Sequence, residues 1–275
     1  MVKIQTGIFQ QMQIHVLVLN FVFISVLIAD TLIFYIEIPG FPVITWVPFN
    51  LLRPLSLNFI AIYVCFLMVI KKIFYFINQR ISHLADVSVE RNRLSEYGRR
   101  QLMAFEINNR LTYYGRLHSD LSNLISILTE YFALPILFVL MIQFCQAMVN
   151  LYLILMDMNT HQRNWPQQLA FFLMVIGWLM IRVVSLFFIL HTCDSTCEEA
   201  NRMVNVLHTL WASRALVGYK KMLRILSHRS VRKRLEIKLY GAIQLNNELG
   251  YKMAGMITTY LIVMLQLDEE TEDDI

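Results

Sequence analysis

Long runs of apolar residues constrain this chain more than any other feature of its sequence. Residues 14–35 form such a run with only five polar interruptions, and comparable runs occupy 54–77, 131–156 and 169–190. A helix rises ~1.5 Å per residue, so about 20 apolar residues cross the ~30 Å hydrocarbon core of a bilayer. The hydrophobic share of 57% also exceeds the ~45–50% that is typical of soluble domains. The sequence therefore predicts an all-α membrane protein.

A shorter apolar stretch, 253–267, is the predicted fifth span and closes the chain. As a helix it would extend only ~20 Å, so it needs support from neighbouring helices. Two adjacent stripes of this helix combine apolar bulk with a hydroxyl, a phenol and an amide: Thr259, Val263 and Gln266 on one, and Tyr260, Met264 and Leu267 on the other. Because a buried amide without a partner costs a few kcal/mol, the polar stripe should face protein or a wet lumen rather than lipid.

Two segments of mixed polarity, 78–130 and 198–252, carry apolar residues at helical spacing and are predicted as long helices in water. Lys71 and Lys72, near the end of the run 54–77, imply that the bilayer is left before this helix ends. With these two lysines, the stretches that follow spans two and four hold 20 of the 24 Lys and Arg residues, and the two stretches lie on the same side of the membrane. Positive charge marks the cytoplasmic side. We therefore expect one transmembrane domain over 1–275, with about five spans, its amino terminus inside and its carboxyl terminus outside.

Ionisable residues within or beside the spans are the candidate functional groups. Asp30 and Arg182 are the two charges inside predicted spans, where such residues are functional by default. Asp30 lies five residues from the outer end of span one, so its alternative role is simply to reach the membrane interface. Arg182 lies deeper, and we expect it to pair with Asp30 or to line a polar pocket. Both are therefore candidate ligand-pocket residues.

Several classes of function find no support in the sequence. No nucleophile or pair of carboxylates has the spacing of a recognisable active site, so an enzyme is not expected. His191, Cys193 and Cys197 lack a fourth ligand at a usual zinc spacing, so neither a metal nor another cofactor is expected. Nothing suggests nucleic-acid binding. A small-solute transporter would show inverted repeats and Gly- or Pro-broken helices, and neither is evident.

The closing stripe is also where the chain resembles a known family. Thr259-Tyr260, five apolar residues and Gln266 are similar to the T-Y-(five apolar)-Q-F signature in the last span of insect gustatory receptors, within the insect chemoreceptor superfamily. Leu267 departs from it, since the family usually carries Phe there. Residues 131–138, the end of span four with its two cysteines, and residues 239–245 are similar to the same family.

The resemblance implies a ligand-gated cation channel that detects small-molecule tastants at the plasma membrane of chemosensory neurons. Family members have seven spans, so this chain would be a short member that lacks the first two. They assemble as tetramers in membrane lipid, with ligand pockets among the outer halves of the other spans and the last helices around a pore, and here a homo- or hetero-tetramer with related receptors is implied. The resemblance assigns the pore and gate to Thr259, Tyr260, Val263, Gln266 and Leu267, and the tail adds an acidic outer mouth at Asp268, Glu269 and Glu270.

Two alternatives stay open. The chain could be a non-conducting fragment or an accessory subunit. Gln266 could merely bond a neighbouring helix, with the acidic tail as a solubilising end.

Overall fold

The computed structural model describes residues 43–92, 97–160, 165–212 and 234–273, together with positions 17, 21, 24, 25, 28, 224, 225, 227 and 228. Within the continuously described ranges, the elements in chain order are the helices α1 (Val43–Asn92), α2 (Tyr97–Thr160) and α3 (Trp165–Ala212), the hairpin strands β1 (Lys238–Leu239) and β2 (Ile243–Gln244), and the helix α4 (Asn247–Asp273). The chain is thus mostly helical, as predicted.

Three of these helices contain stretches long and apolar enough to cross a membrane by length and composition: Leu57–Leu84, Glu106–Met156 and Phe171–Trp211. They overlap the second, third and fourth predicted spans. The first predicted span, 14–35, lies almost wholly outside the described residues, and α4 is not among the three. The count of five spans and their orientation therefore stay predictions.

The chain divides into two compact units. The first unit comprises Met1–Cys65, Leu134–Leu190 and Asn247–Ile275, and the second comprises Phe66–Ala133 and His191–Asn246. Within the first unit, α2 and α3 bury residues three or four positions apart, which is the spacing of one helix face. The buried positions are Ile136, Val139, Leu140, Gln143 and Ala147 on α2, and Val175, Trp178, Arg182, Ser185 and Ile189 on α3.

The second unit combines an apolar core with polar contacts between helices. Asn78 of α1 is 4% exposed, and its Nδ2 donates to the backbone oxygen of Glu199 at 2.8 Å and to its Oε1 at 3.0 Å. On α2, His118 Nε2 bonds the backbone oxygen of Ala200 at 2.9 Å, and its ring centroid lies 4.9 Å from that of Phe74. These contacts fix α1, α2 and α3 against one another within this unit.

An extended segment packs on α3 where the sequence predicted a helix. Leu235, Ile237 and Leu239 are buried and alternate with exposed neighbours, which is the period of a strand. Asn201 of α3 holds this segment at both backbone groups of Leu235: the Leu235 N–H donates to Asn201 Oδ1 at 2.9 Å, and Asn201 Nδ2 donates to the Leu235 oxygen at 3.0 Å. Burial beside this segment raises the pKa of Cys197, which lies outside the predicted spans, to about 11.

The hairpin explains why the predicted helix over 198–252 is interrupted. Tyr240 and Gly241 have φ of 49° and 71°, and the N–H of Ala242 donates to the Leu239 oxygen at 3.0 Å. Positive φ at both central residues is the pattern of a type I′ turn, which joins two antiparallel strands and cannot continue a helix. The expectation of a helical segment over 198–252 was therefore wrong for residues 234–246.

Candidate functional site

Arg182 occupies the buried face of α3 because its position coincides with the apolar phase of the helix. Val175, Trp178 and Ser185 precede and follow it at intervals of three or four residues, and all are buried. The Arg182 side chain is 8% exposed. The position of Arg182 on this face therefore places a full positive charge in the interior of the first unit.

Polar groups on α2 and α3 meet beside this arginine. Gln143 Nε2 donates to Ser185 Oγ at 3.4 Å, and Ser185 Oγ donates to the backbone oxygen of Arg182 at 2.9 Å. Gln143 is 6% exposed, and its Oε1 has no hydrogen-bond partner among the described residues. A buried acceptor without a partner is costly, and a donor from a water or from a bound molecule would satisfy it.

A cavity of about 300 Å³ opens against these groups, with walls from α2, α3 and α4 of the first unit. Most of its lining is apolar, with Gln143, Arg182, Asn247 and Tyr251 as the polar members. The full set is Gln143, Phe144, Ala147, Arg182, Val183, Leu186, Phe187, Leu190, Asn247, Gly250, Tyr251, Met253, Ala254 and Ile257. Small-molecule sites are typically apolar cavities of ~300–1,000 Å³ with a few placed polar groups, and this cavity has that character.

A glycine brings α4 close to α3 at this cavity. A Cβ placed on Gly250 would lie 3.2 Å from Leu190 Cδ1, which is tighter than an ordinary contact. After Gly250, the buried or half-buried side chains of α4 recur at intervals of four residues, at Met253, Ile257, Leu261 and Leu265. These positions face the rest of the first unit.

The predicted gate residues lie on the other faces of α4. Thr259, Tyr260, Val263, Gln266 and Leu267 are all exposed in the single chain. Thr259 Oγ1 donates to the Gly255 oxygen at 3.0 Å, so its hydroxyl is satisfied within its own helix. The Tyr260 ring meets that of Phe144 edge-on, with centroids 6.5 Å apart.

Two other predicted sites, the candidate pocket residue Asp30 and the acidic outer mouth at 268–270, lie wholly or partly outside the described residues. Asp30 is outside the described residues, so its expected pairing with Arg182 stays a prediction. Asp268, Glu269 and Glu270 have helical backbones as part of α4, while their side chains lie outside the description. The structure thus places Arg182 in a cavity and the five gate positions on the exposed side of α4.

Sequence reasoning missed the polar stripe of α2. Gln143, Gln146 and Asn150 are spaced i, i+3 and i+7, and each has a buried polar atom with no partner among the described residues. Polar residues on one face of a predicted span indicate a bundle interior or a wet cavity. The spacing of these three amide side chains can be read from the sequence, although none of them carries a charge.

A second cavity, of about 850 Å³, lies in the second unit and has a different chemistry. Positively charged, negatively charged and neutral polar side chains make up most of its lining. The full set is Lys71, Ser195, Glu198, Glu199, Asn201, Arg202, Val204, Asn205 and Arg234. Glu199 is already engaged by Asn78 and by Arg202, whose Nη1 lies 3.5 Å from Glu199 Oε2. Among the residues that the structure describes, no cluster of three or more His, Cys, Asp and Glu side chains could hold a metal ion.

Apolar helices of membrane-spanning length, with a largely apolar cavity that a buried arginine lines, define a helical membrane protein. The comparison with known families is specific on this point. Residues 4–271 match the 7tm Chemosensory receptor family, so the chain belongs to this family. This is a family of receptors and not of enzymes, and its members bind small chemical ligands.

A curated relative points in the same direction. The chain is 24% identical over 103 residues to the Gustatory and pheromone receptor 32a of Drosophila melanogaster. The match covers 36% of this chain and 22% of that receptor. The resemblance to gustatory receptors that the closing motif indicated is thereby confirmed at the level of the family.

Proposed function

We propose that this chain is a gustatory receptor, a subunit of a ligand-gated cation channel that detects small-molecule tastants in the plasma membrane of chemosensory neurons. Four copies, or copies mixed with related receptors, surround a pore lined by α4. Tastant binds in the Arg182 cavity, which the predicted orientation puts nearer the cytoplasmic end of α4 than the outer halves that the family resemblance implies. The gate lies at Gln266 and Leu267, near the outer end of α4. Family membership and the gustatory relative support the receptor part of this proposal.

One observation carries the proposal beyond the family: α4 contributes both to the cavity and to the gate positions. Asn247, Gly250 and Met253 line the cavity, and Gln266 follows on the same unbroken helix. At ~1.5 Å per residue, Asn247 and Gln266 are about 28 Å apart along the helix axis. A ligand that tilts the first turns of α4 would therefore displace the gate at its far end, which is the coupling that a receptor channel requires.

The exposed faces of α4 suit a pore. Leu267 and Val263 are apolar and 59% and 45% exposed, so rings of them from four subunits could close a narrow passage by dewetting. Gln266 would then offer amide groups that replace part of the hydration shell of an ion once the ring widens.

Gln266→Ala tests this assignment most directly. We expect changed gating or ion selectivity in patch recordings from cells that express the chain alone or with a related receptor. Thr258→Ala is the matched control, because Thr258 lies on the same helix and its hydroxyl bonds the Ala254 oxygen at 3.0 Å. Tastant-evoked current that is identical in Gln266→Ala and wild type would remove Gln266 from the pore.

The same recordings test the alternative role of an accessory subunit. Current that appears only with a related receptor, and that Gln266→Ala leaves unaltered, would identify a non-conducting partner. A complete lack of ligand-evoked current in both settings would overturn the channel proposal.

A second test concerns the acidic end of α4. Six acids per subunit beside the outer exit would concentrate cations there, and this effect weakens as salt shortens the Debye length to ~8 Å near 0.15 M. Replacing Asp268, Glu269 and Glu270 by their amides should lower single-channel conductance at low ionic strength and leave it unchanged at high ionic strength. Equal conductance at low salt would place the tail away from the ion path.

A further inference from the structure

The Arg182 cavity has a chemistry that narrows the class of its ligand. We propose that it binds a small hydroxy acid with an apolar chain: the carboxylate on the Arg182 guanidinium, the hydroxyl on Gln143, and the chain along the apolar wall. This inference rests on the proposed function, since it takes the same cavity as the ligand site and adds the kind of molecule that fits.

The positive charge of Arg182 favours a ligand that carries a carboxylate. Arg182 is the one full charge among the described residues that line the cavity, and no carboxylate lines it. A guanidinium carries five N–H donors in a planar fork, so it can hold a carboxylate through two parallel bonds in addition to any contact it makes within the protein. Inside a membrane bundle a buried cation is expensive, and an anionic ligand reduces that cost.

The unpaired acceptor selects a hydroxyl. Gln143 Nε2 is used by Ser185, while its Oε1 has no hydrogen-bond partner among the described residues. A carboxylate has no proton to donate, so it cannot satisfy this oxygen. A hydroxyl on the ligand can, and a buried site built to hydrogen-bond a hydroxyl discriminates against analogues without one.

The remaining lining selects a short apolar chain. Phe144, Val183 and Met253 are among the apolar side chains around the polar end. The volume of about 300 Å³ is at the lower limit for small-molecule sites, so a short chain fits and a long one does not. Tyr251, which also lines the cavity, is 79% exposed and marks the side from which a ligand can enter.

Three six-carbon probes separate these contributions: 2-hydroxyhexanoate has every feature, hexanoate lacks the hydroxyl, and 1,2-hexanediol lacks the charge. Binding is measured by calorimetry on the full chain in lipid nanodiscs, with empty nanodiscs as the blank. We expect affinity to fall about 5- to 10-fold from 2-hydroxyhexanoate to hexanoate, and at least about tenfold from 2-hydroxyhexanoate to the diol. Equal affinity for all three probes, or no binding at all, would overturn the proposal.

Substitutions assign each preference to its residue. Gln143→Leu should abolish the preference for the hydroxyl and keep the preference for the acid, whereas Arg182→Gln should abolish the preference for the acid. Val184→Ala is the control, because Val184 is on the same helix, 51% exposed and outside the lining. If Arg182→Gln does not fold, the probe series on wild type and Gln143→Leu still tests the proposal, because the preference for the acid over the diol is measured on wild type itself.

The binding experiment also distinguishes failure of this inference from failure of the proposed function. Hydroxy-acid binding without any evoked current would support the proposed ligand class and contradict the proposed channel function. Tastant-evoked current without hydroxy-acid binding would contradict the proposed ligand class and support the proposed channel function.

Discussion

The contact between Asn201 and Leu235 offers the sharpest test of how the second unit is held together. One amide side chain on α3 satisfies both backbone groups of a residue that is 8% exposed. Asn201→Ala removes both bonds and leaves a buried N–H and a buried C=O without partners. At ~1–2 kcal/mol for each lost bond, this substitution should destabilise the packing of residues 234–239 by about 2–4 kcal/mol.

Hydrogen exchange on the purified protein measures this effect locally. Because each 1.4 kcal/mol is a factor of ten in an equilibrium constant, the Leu235 and Ile237 amides should exchange at least about 30-fold faster in Asn201→Ala. Asn205→Ala is the matched control: it makes the same replacement one turn later on α3, at an exposed position, so the gain in helix propensity is equal. Its exchange should remain at the wild-type rate.

Asn201→Asp separates the two bonds. The carboxylate keeps an acceptor for the Leu235 N–H but loses the donor to the Leu235 oxygen, so the Leu235 amide should stay better protected than in Asn201→Ala. Equal exchange at Leu235 in Asn201→Ala and Asn205→Ala would refute the reasoning, because it would show that apolar packing alone holds the extended segment.

Three further substitutions test individual contacts through the melting temperature of the purified protein. Asn78→Asp places a carboxylate about 3 Å from that of Glu199 and should destabilise by at least ~1 kcal/mol more than Asn78→Ala, with relief on acidification; an equal loss in both would contradict this repulsion. Gly241→Ala should cost ~1–2 kcal/mol through its φ of 71° alone, since a Cβ there meets nothing within 4 Å, while Ala242→Gly serves as the control. Burial lowers the pKa of His118, which lies before the predicted span at 131–156, below its ordinary 6.5. Its contribution to the free energy of unfolding is therefore fully present above pH 6.5 and is lost as the pH falls below that value. The slope is at most ~1.4 kcal/mol per pH unit. Parallel pH curves for wild type and His118→Gln would contradict the prediction, because they would show that the pKa of His118 is the same in the native and unfolded states.

Hydrophobic patterning predicts the helices of this chain because it is set by the solvent around each face. The apolar runs overlap three helices of spanning length, since burial in lipid or protein demands apolar side chains whatever the tertiary fold. The hairpin was missed for a local reason: Tyr240 adopts a positive φ that side-chain periodicity does not reveal. Leu235, Ile237 and Leu239 alternate with charged residues, and that period of two was available as a signal.

The cavity could be predicted only in part. The deep position of Arg182 in an apolar run indicated a buried functional charge, and the structure places this residue in a cavity lining. Its neighbours could not be predicted, because the rotation of α2 and α4 about their axes decides that Gln143 and Asn247 meet it. Helix rotation depends on packing between helices, for example the close approach at Gly250, which no single helix encodes.

Hydrogen bonding within α4 accounts for the hydroxyls of its exposed threonines but not for the amide of Gln266. Thr258 and Thr259 donate to backbone oxygens four residues earlier, so their hydroxyls need no external partner even in an apolar setting. Their presence on an exposed face therefore does not by itself require water or a neighbouring subunit. Gln266 is different, because its amide has two donors and an acceptor that a helix backbone cannot satisfy, and lipid offers none. The prediction that α4 faces a wet lumen or another subunit thus rests on Gln266 far more than on Thr259, which is why Gln266→Ala is the decisive substitution on this helix.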